Sequence, residues 1–225
     1  MPGLKTIYGR DGTPIADIRA AVVRSSLLND IGEAAFYITK SSEKCRRDIL
    51  EFGNYLYVQH DTLPDWVGII DTPRTWHHGY VEVHAFEVPY ILQYRLAPLN
   101  VTIEGAPGLR VSQLINFANL QADTLIRMGT VFEGGANIAE TVSDSIYTHI
   151  KNIHENNNQD WILTPAIDSQ GKLTVTMDWL AQAGVDHVER GAFLADDRHA
   201  LAASGVVGDQ VRDRLRLAGA GRPFQ

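Results

Sequence analysis

The chain has 225 residues, 44% of them hydrophobic and 21% charged, a composition that excludes a wholly disordered or fibrous protein and leaves room for one large domain or two small ones. Its formal net charge of −7 opposes attachment to phosphate backbones and argues against nucleic acid as a specific ligand. No apolar run approaches the roughly 20 residues that cross a bilayer, Met1 to Ile18 lack the basic-then-apolar pattern of an export signal, and the single Cys45 cannot close an internal disulfide, which together predict a protein made in the cytoplasm with no membrane insertion.

Residues 1–95 read as a strand-rich, barrel-like domain. Leu4 to Tyr8 alternates, Gly9-Arg10-Asp11-Gly12 supplies turn chemistry, and Ile15 to Ala20 returns as a partner strand. Further strands are predicted at Ala34 to Thr39, Tyr55 to His60, Trp66 to Asp71 and Tyr80 to Phe86, each rich in aromatic or β-branched residues and bounded by Gly, Pro, Asn or Asp. Ser41 to Leu50 is a candidate short helix. Gly68 inside a strand suggests a barrel corner, and Pro73 is expected to stop that strand.

Residues 96–180 read as a small α+β domain. A helical stretch from Val88 to Arg95, ended by Pro98, leads into it. Val101 to Glu104 is a short strand and Gly105-Ala106-Pro107-Gly108 a loop, while Val111, Leu114, Ile115 and Ala118 make an amphipathic helix. Leu125 to Phe132 is a strand. A longer helix is expected from Asn137, as N-cap, to His154, with Ile138, Val142, Ile146, Ile150 and Ile153 on one face. Asp160 to Ala166 and Lys172 to Asp178 then form a hairpin about Asp168-Ser169-Gln170-Gly171. Residues 181–225 are rich in Ala, Gly, Asp and Arg and read as a tail or a truncated segment, with helix fragments at 200–207 and 211–217. The fold class is therefore α+β, an antiparallel barrel-like part followed by a small α+β part.

Reactive motifs are not found. Gly171-Lys172 is followed by Leu173, so the phosphate-binding loop pattern fails. The Gly134-Gly135 pair lacks the third glycine of a dinucleotide site. There is no Gly-x-Ser-x-Gly nucleophile turn. His77, His78, Glu82 and His84 form the one metal-like group, with His78, Glu82 and His84 expected on one strand face by the two-residue period. That spacing is unspecific, and exposed or interfacial imidazoles along a strand are the ordinary account of it. No catalytic, cofactor or metal residue is assigned, and the chain is not read as an enzyme. Tyr55, Tyr57, Trp66 and Trp76 are the candidate interface aromatics.

The order of Ile49-Leu50-Glu51-Phe52-Gly53-Asn54-Tyr55-Leu56-Tyr57-Val58 and Trp66-Val67-Gly68-Ile69-Ile70-Asp71-Thr72-Pro73 resembles the N-terminal part of phage baseplate hub and tail-associated proteins. The Gly105 to Asn119 loop and helix, and Ala139 to Trp179, match the unit that follows in that family. The resemblance implies a structural ring component, usually a homotrimer, that joins tail tube and distal tail proteins to a central spike or fibre. It implies a place at the virion tail tip and an axial channel through which DNA passes without sequence-specific binding. The alternatives are a tail-associated cell-wall hydrolase or its anchoring module, or a carbohydrate- or peptide-binding module. The chain departs from the family by stopping soon after the small domain.

Overall fold

The computed structural model describes residues 4–71 and 74–182. Pro73 as a strand stop, the two helix fragments at 200–207 and 211–217, and the tail after residue 182 lie outside the described residues. The architecture is α+β, as expected. The thirteen strands among the described residues are β1 (Lys5–Tyr8), β2 (Pro14–Asp17), β3 (Ala21–Arg24), β4 (Glu33–Thr39), β5 (Tyr55–Val58), β6 (Trp66–Ile70), β7 (Thr75–Trp76), β8 (Tyr80–Glu87), β9 (Thr102–Gly105), β10 (Ile126–Val131), β11 (Ile138–Thr141), β12 (Asp160–Ile167) and β13 (Leu173–Leu180). Two α-helices, α1 (Pro107–Gln121) and α2 (Ile146–Asn157), and a 3-10 helix (Val88–Tyr94) complete it.

The first eight strands form one antiparallel sheet in the order β2-β1-β5-β6-β8-β4-β3, with β7 added beside β8. The sheet is not closed into a barrel, because β2 and β3 end the order without pairing. It must nevertheless curl. Only Ile18, Arg19 and Ala20 join β2 to β3, and so few residue steps reach about 14 Å at most. One core confirms the curl: Ile7, Ala16, Val22, Phe36, Leu56, Trp66 and Val83, drawn from β1, β2, β3, β4, β5, β6 and β8, pack into a single buried cluster.

The β1–β2 turn is held by Asp11, whose carboxylate accepts from the Thr13 N–H (3.0 Å) and hydroxyl (2.6 Å). Gly12, at φ +78°, supplies the left-handed residue the turn requires. Gly68 marks a close approach: a Cβ there would lie 2.2 Å from the Trp66 ring and 2.8 Å from the Phe86 carbonyl.

Several expectations are corrected. Ser41 to Leu50 forms turns, not a helix. The stretch after β8 is a 3-10 helix with Pro89 near its start. Helix α1 begins at Pro107, inside the predicted loop, because proline suits the first helical turn, where an N–H has no partner in any case. The long helix is split: Ile138–Thr141 is β11, paired with β9, and α2 starts after Ser145, whose hydroxyl accepts from the Thr148 N–H. Ile138 and Val142 mimic helical spacing, but Ile138 is 46% exposed and Val142 fully buried, as a strand-to-turn passage allows and one helix face does not. The β12–β13 hairpin forms as expected, and β10 joins β13 in parallel.

Helices α1 and α2 pack with β10, β13 and the 3-10 helix around a second core. That core includes Leu114, Ile115, Ile150, Trp161 and Trp179, and it takes in Tyr8, Tyr55, Tyr57, Val67 and Ile69 from the outer face of β1, β5 and β6. Loop 25–32 adds a polar clasp. The Asn29 side chain accepts from the Trp161 N–H (2.8 Å) and donates to Asp160 (2.6 Å), while Asp30 accepts from the Tyr147 hydroxyl (2.7 Å).

Candidate functional site

The large sheet presents two different outer faces. Every residue of β1, β5 and β6 is buried, because these strands lie between the two cores. On β4 and β8, burial alternates. Phe36, Ile38, Val81, Val83 and Ala85 point into the curled sheet, and Ala35, Tyr37, Tyr80, Glu82, His84 and Phe86 point outward and stay partly open.

Of the four candidate interface aromatics, three are interior. Tyr55 is 3%, Tyr57 5% and Trp66 2% exposed. The Tyr55 hydroxyl donates to the Thr124 carbonyl (3.3 Å), next to Leu125 of the same core, and that of Tyr57 to Asp65 (2.5 Å). Burial pushes both phenols well above their usual range, and the Asp65 carboxylate adds to the effect at Tyr57. Trp76 stands apart at 64% exposed. It lies on the short β7 hairpin arm, which pairs with β8 through Thr75↔Glu82 and Trp76↔Val81, and the Lys40 ammonium sits 5.4 Å from its ring centroid.

The histidine group is rearranged relative to its expected face. Glu82 and His84 do share the outer face of β8, but the second histidine on Glu82 is His77, not the exposed His78. His77 Nε2 lies 2.9 Å from one Glu82 oxygen and His84 Nε2 3.3 Å from the other. His77 also stacks on Tyr80, which meets Tyr37 edge to face. Among the described residues no group of three His, Cys, Asp or Glu side chains converges as a metal site.

An aromatic ladder continues from this face. Phe86, Tyr90, Tyr94 and Phe52 follow one another with centroid separations of 4.6, 5.2 and 6.3 Å. Leu96, Leu99 and Leu120 stand 66%, 83% and 82% exposed. Sequence reading did not single out Tyr37, Tyr80, Tyr90 or Tyr94. The alternation of β4 and β8 carries the signal for Tyr37 and Tyr80. Tyr90 and Tyr94 are offset by two residues from the buried pair Val88 and Leu92.

One largely buried polar network is committed to holding the fold. His149, on α2, accepts at Nε2 from the backbone N–H groups of Ser143 and Asp144, each at 3.2 Å, and its Nδ1 faces Glu140 at 3.3 Å. Two donors at Nε2 fix Nδ1 as the protonated nitrogen. Glu140 in turn accepts from Arg110 at 2.9 Å. Both imidazole nitrogens are occupied, so neither is presented to a substrate as a base.

No protein-family model matches the sequence, and no curated protein matches it. Solved structures do. A chain of the Francisella PdpA–VgrG complex in its half-lidded form aligns over 81% of this chain and 32% of its own length, at 10% identity and a TM-score of 0.50. A prophage tail protein of Listeria monocytogenes aligns over 76% of this chain and 50% of its own length, at 8% identity and a TM-score of 0.46. An E. coli type VI secretion component, described as structurally similar to phage tail proteins, aligns over 71% of this chain and 45% of its own, at 10% identity and a TM-score of 0.46. This chain thus spans between a third and a half of the length of the chains it matches. The likeness to the chain of the PdpA–VgrG complex, at a TM-score of 0.50, shows a shared fold.

Proposed function

We propose that this chain is a structural component of the tip of a phage or phage-like tail, a hub piece that assembles with copies of itself between tail tube and central spike or fibre. The observation that supports this best is the fold shared with a chain of the Francisella PdpA–VgrG complex over 81% of the present chain. The distribution of surface agrees with it. One side of the curled sheet is sealed by the helices, and the other displays partly open aromatics in the manner of a face completed by a neighbour. In this reading the ring is a homotrimer, contacts tail tube and distal tail proteins, sits at the virion tail tip and leaves an axial passage for DNA without base contacts.

Light scattering on the purified full chain tests the proposal. The expected result is a mass near three times the 24.9 kDa of one chain. A single-chain mass at every concentration would overturn it. Clearing of bacterial cell-wall suspensions by the same preparation would instead favour a wall hydrolase, and binding of a sugar or peptide by the monomer would favour a recognition module.

A further inference from the structure

One end of the curled sheet concentrates positive charge around the exposed tryptophan. There the β4–β5 connection passes beside the β7–β8 hairpin: the Lys40 N–H donates to the Gly79 carbonyl (3.0 Å), and the Lys40 side chain covers Trp76. Residues 40–48 carry four cations, Lys40, Lys44, Arg46 and Arg47, against Glu43 and Asp48. Lys40, Lys44, Arg46 and Arg47 are all exposed. The local carboxylates are mostly engaged. Asp48 pairs with Arg46 (2.6 Å), and Glu82 lies between His77 and His84. Arg74 and Lys40 both act electrostatically on Cys45, which places Arg74 at the same end.

This polarity runs against the rest of the molecule. Four cations against two carboxylates give the stretch +2, whereas the whole chain carries −7, so the remainder carries −9. Residues 183–225 contribute six cations and six carboxylates, so the acidic excess belongs to the described residues. One copy therefore offers a small basic, Trp-centred patch and a predominantly acidic surface elsewhere.

We propose that the Lys40, Lys44, Arg47 and Trp76 patch docks on the acidic surface of a second copy of this chain, with Trp76 as the apolar anchor and the cations as its charged rim. The inference rests on the self-assembling reading above and names a surface for it. The two complementary surfaces are different parts of one molecule, which permits a head-to-tail, heterologous contact of the type that closes a ring when its rotation closes. An exposed tryptophan with a basic rim suits an acidic partner, since rim charges steer association while a buried aromatic supplies most of the affinity.

The test measures the mass of the full chain by light scattering in low salt and in about 1 M salt, where the screening length falls to about 3 Å. The wild type is expected to associate in low salt and to shift toward single chains in high salt. The double variant Lys44→Glu with Arg47→Glu is expected to remain a single chain in both, and Trp76→Ala to weaken association at least tenfold. All three positions are exposed, so circular dichroism and Tm should stay at wild-type values. Association of both variants as strong as that of the wild type would overturn this contact and leave the ring reading standing. Association insensitive to salt would do the same. A wild type that is a single chain in low salt would remove both.

Discussion

Strands β5 and β6 bury every residue, whereas β4 and β8, in the same sheet, bury every second one. The difference lies not in strand propensity, since all four are rich in aromatic and β-branched residues, but in what lies outside them. The outer residues Tyr55, Tyr57, Val67 and Ile69 join the core built by α1, α2 and β13. Tyr37, Tyr80, Glu82, His84 and Phe86 have no such cover among the described residues. A sheet covered on both faces at β1, β5 and β6 and on one face at β4 and β8 has a side suited to completion by a partner.

Substitutions on the two faces should separate sharply. Ile69→Ala, at a side chain 1% exposed, should cost about 2–5 kcal/mol by leaving a cavity in the second core. His84→Ala, on the open face, should cost less than about 1 kcal/mol in the isolated chain. Urea unfolding of both variants gives the comparison, and equal losses would break it.

The next largest effect concerns close packing inside β6. Gly68→Ala places a methyl against the Trp66 ring and the Phe86 carbonyl, and overpacking of this kind costs about 1–3 kcal/mol. A Tm equal to that of the wild type would show that Trp66 can swing away.

The clasp of loop 25–32 comes third. Asn29 stands at φ +59° and pairs with both Asp160 and the Trp161 N–H. Asn29→Ala loses those bonds and places alanine in the left-handed region, for about 1–2 kcal/mol in total. Asn29→Gly, free of the backbone strain, should lose less, and the ordering of the two variants in urea is the check.

The smallest effect is one of pH. Burial alone would raise the Asp30 carboxyl, but the Tyr147 hydroxyl, the Ile31 N–H and Lys151 outweigh it and hold the group below its ordinary value. A depressed carboxyl contributes stability that is present above its unfolded pKa and lost as pH falls through the folded one. Because the group is largely solvated, the contribution should be under about 1 kcal/mol. Asp30→Asn should therefore flatten the acid limb of stability against pH, and an unchanged limb would show that the clasp carries no such linkage.

Much of this comparison could be read from the chain alone. The alternation in Glu33–Thr39 and Tyr80–Glu87 and the turn residues around Asp11 and Asp168 are local signals, and those elements formed where expected. Which core would take each of Tyr55, Tyr57 and Trp66 was not legible, because the two tyrosines are covered by helices more than forty residues away in sequence and Trp66 by the curl of the sheet itself. Strand β3, only Ala21–Arg24, was hidden by its brevity, and β11 by a chance helical spacing of Ile138 and Val142. Trp76 is exposed, and its contact with Lys40 joins the β7 arm to the β4–β5 connection, a pairing that no periodicity encodes.

The central claim is that the open face belongs to an assembly. Negative-stain electron microscopy of the purified full chain tests it most directly. Uniform three-fold rings with a central opening are the expected result. A field of separate single-chain particles at concentrations well above those of assembly in a cell would contradict it.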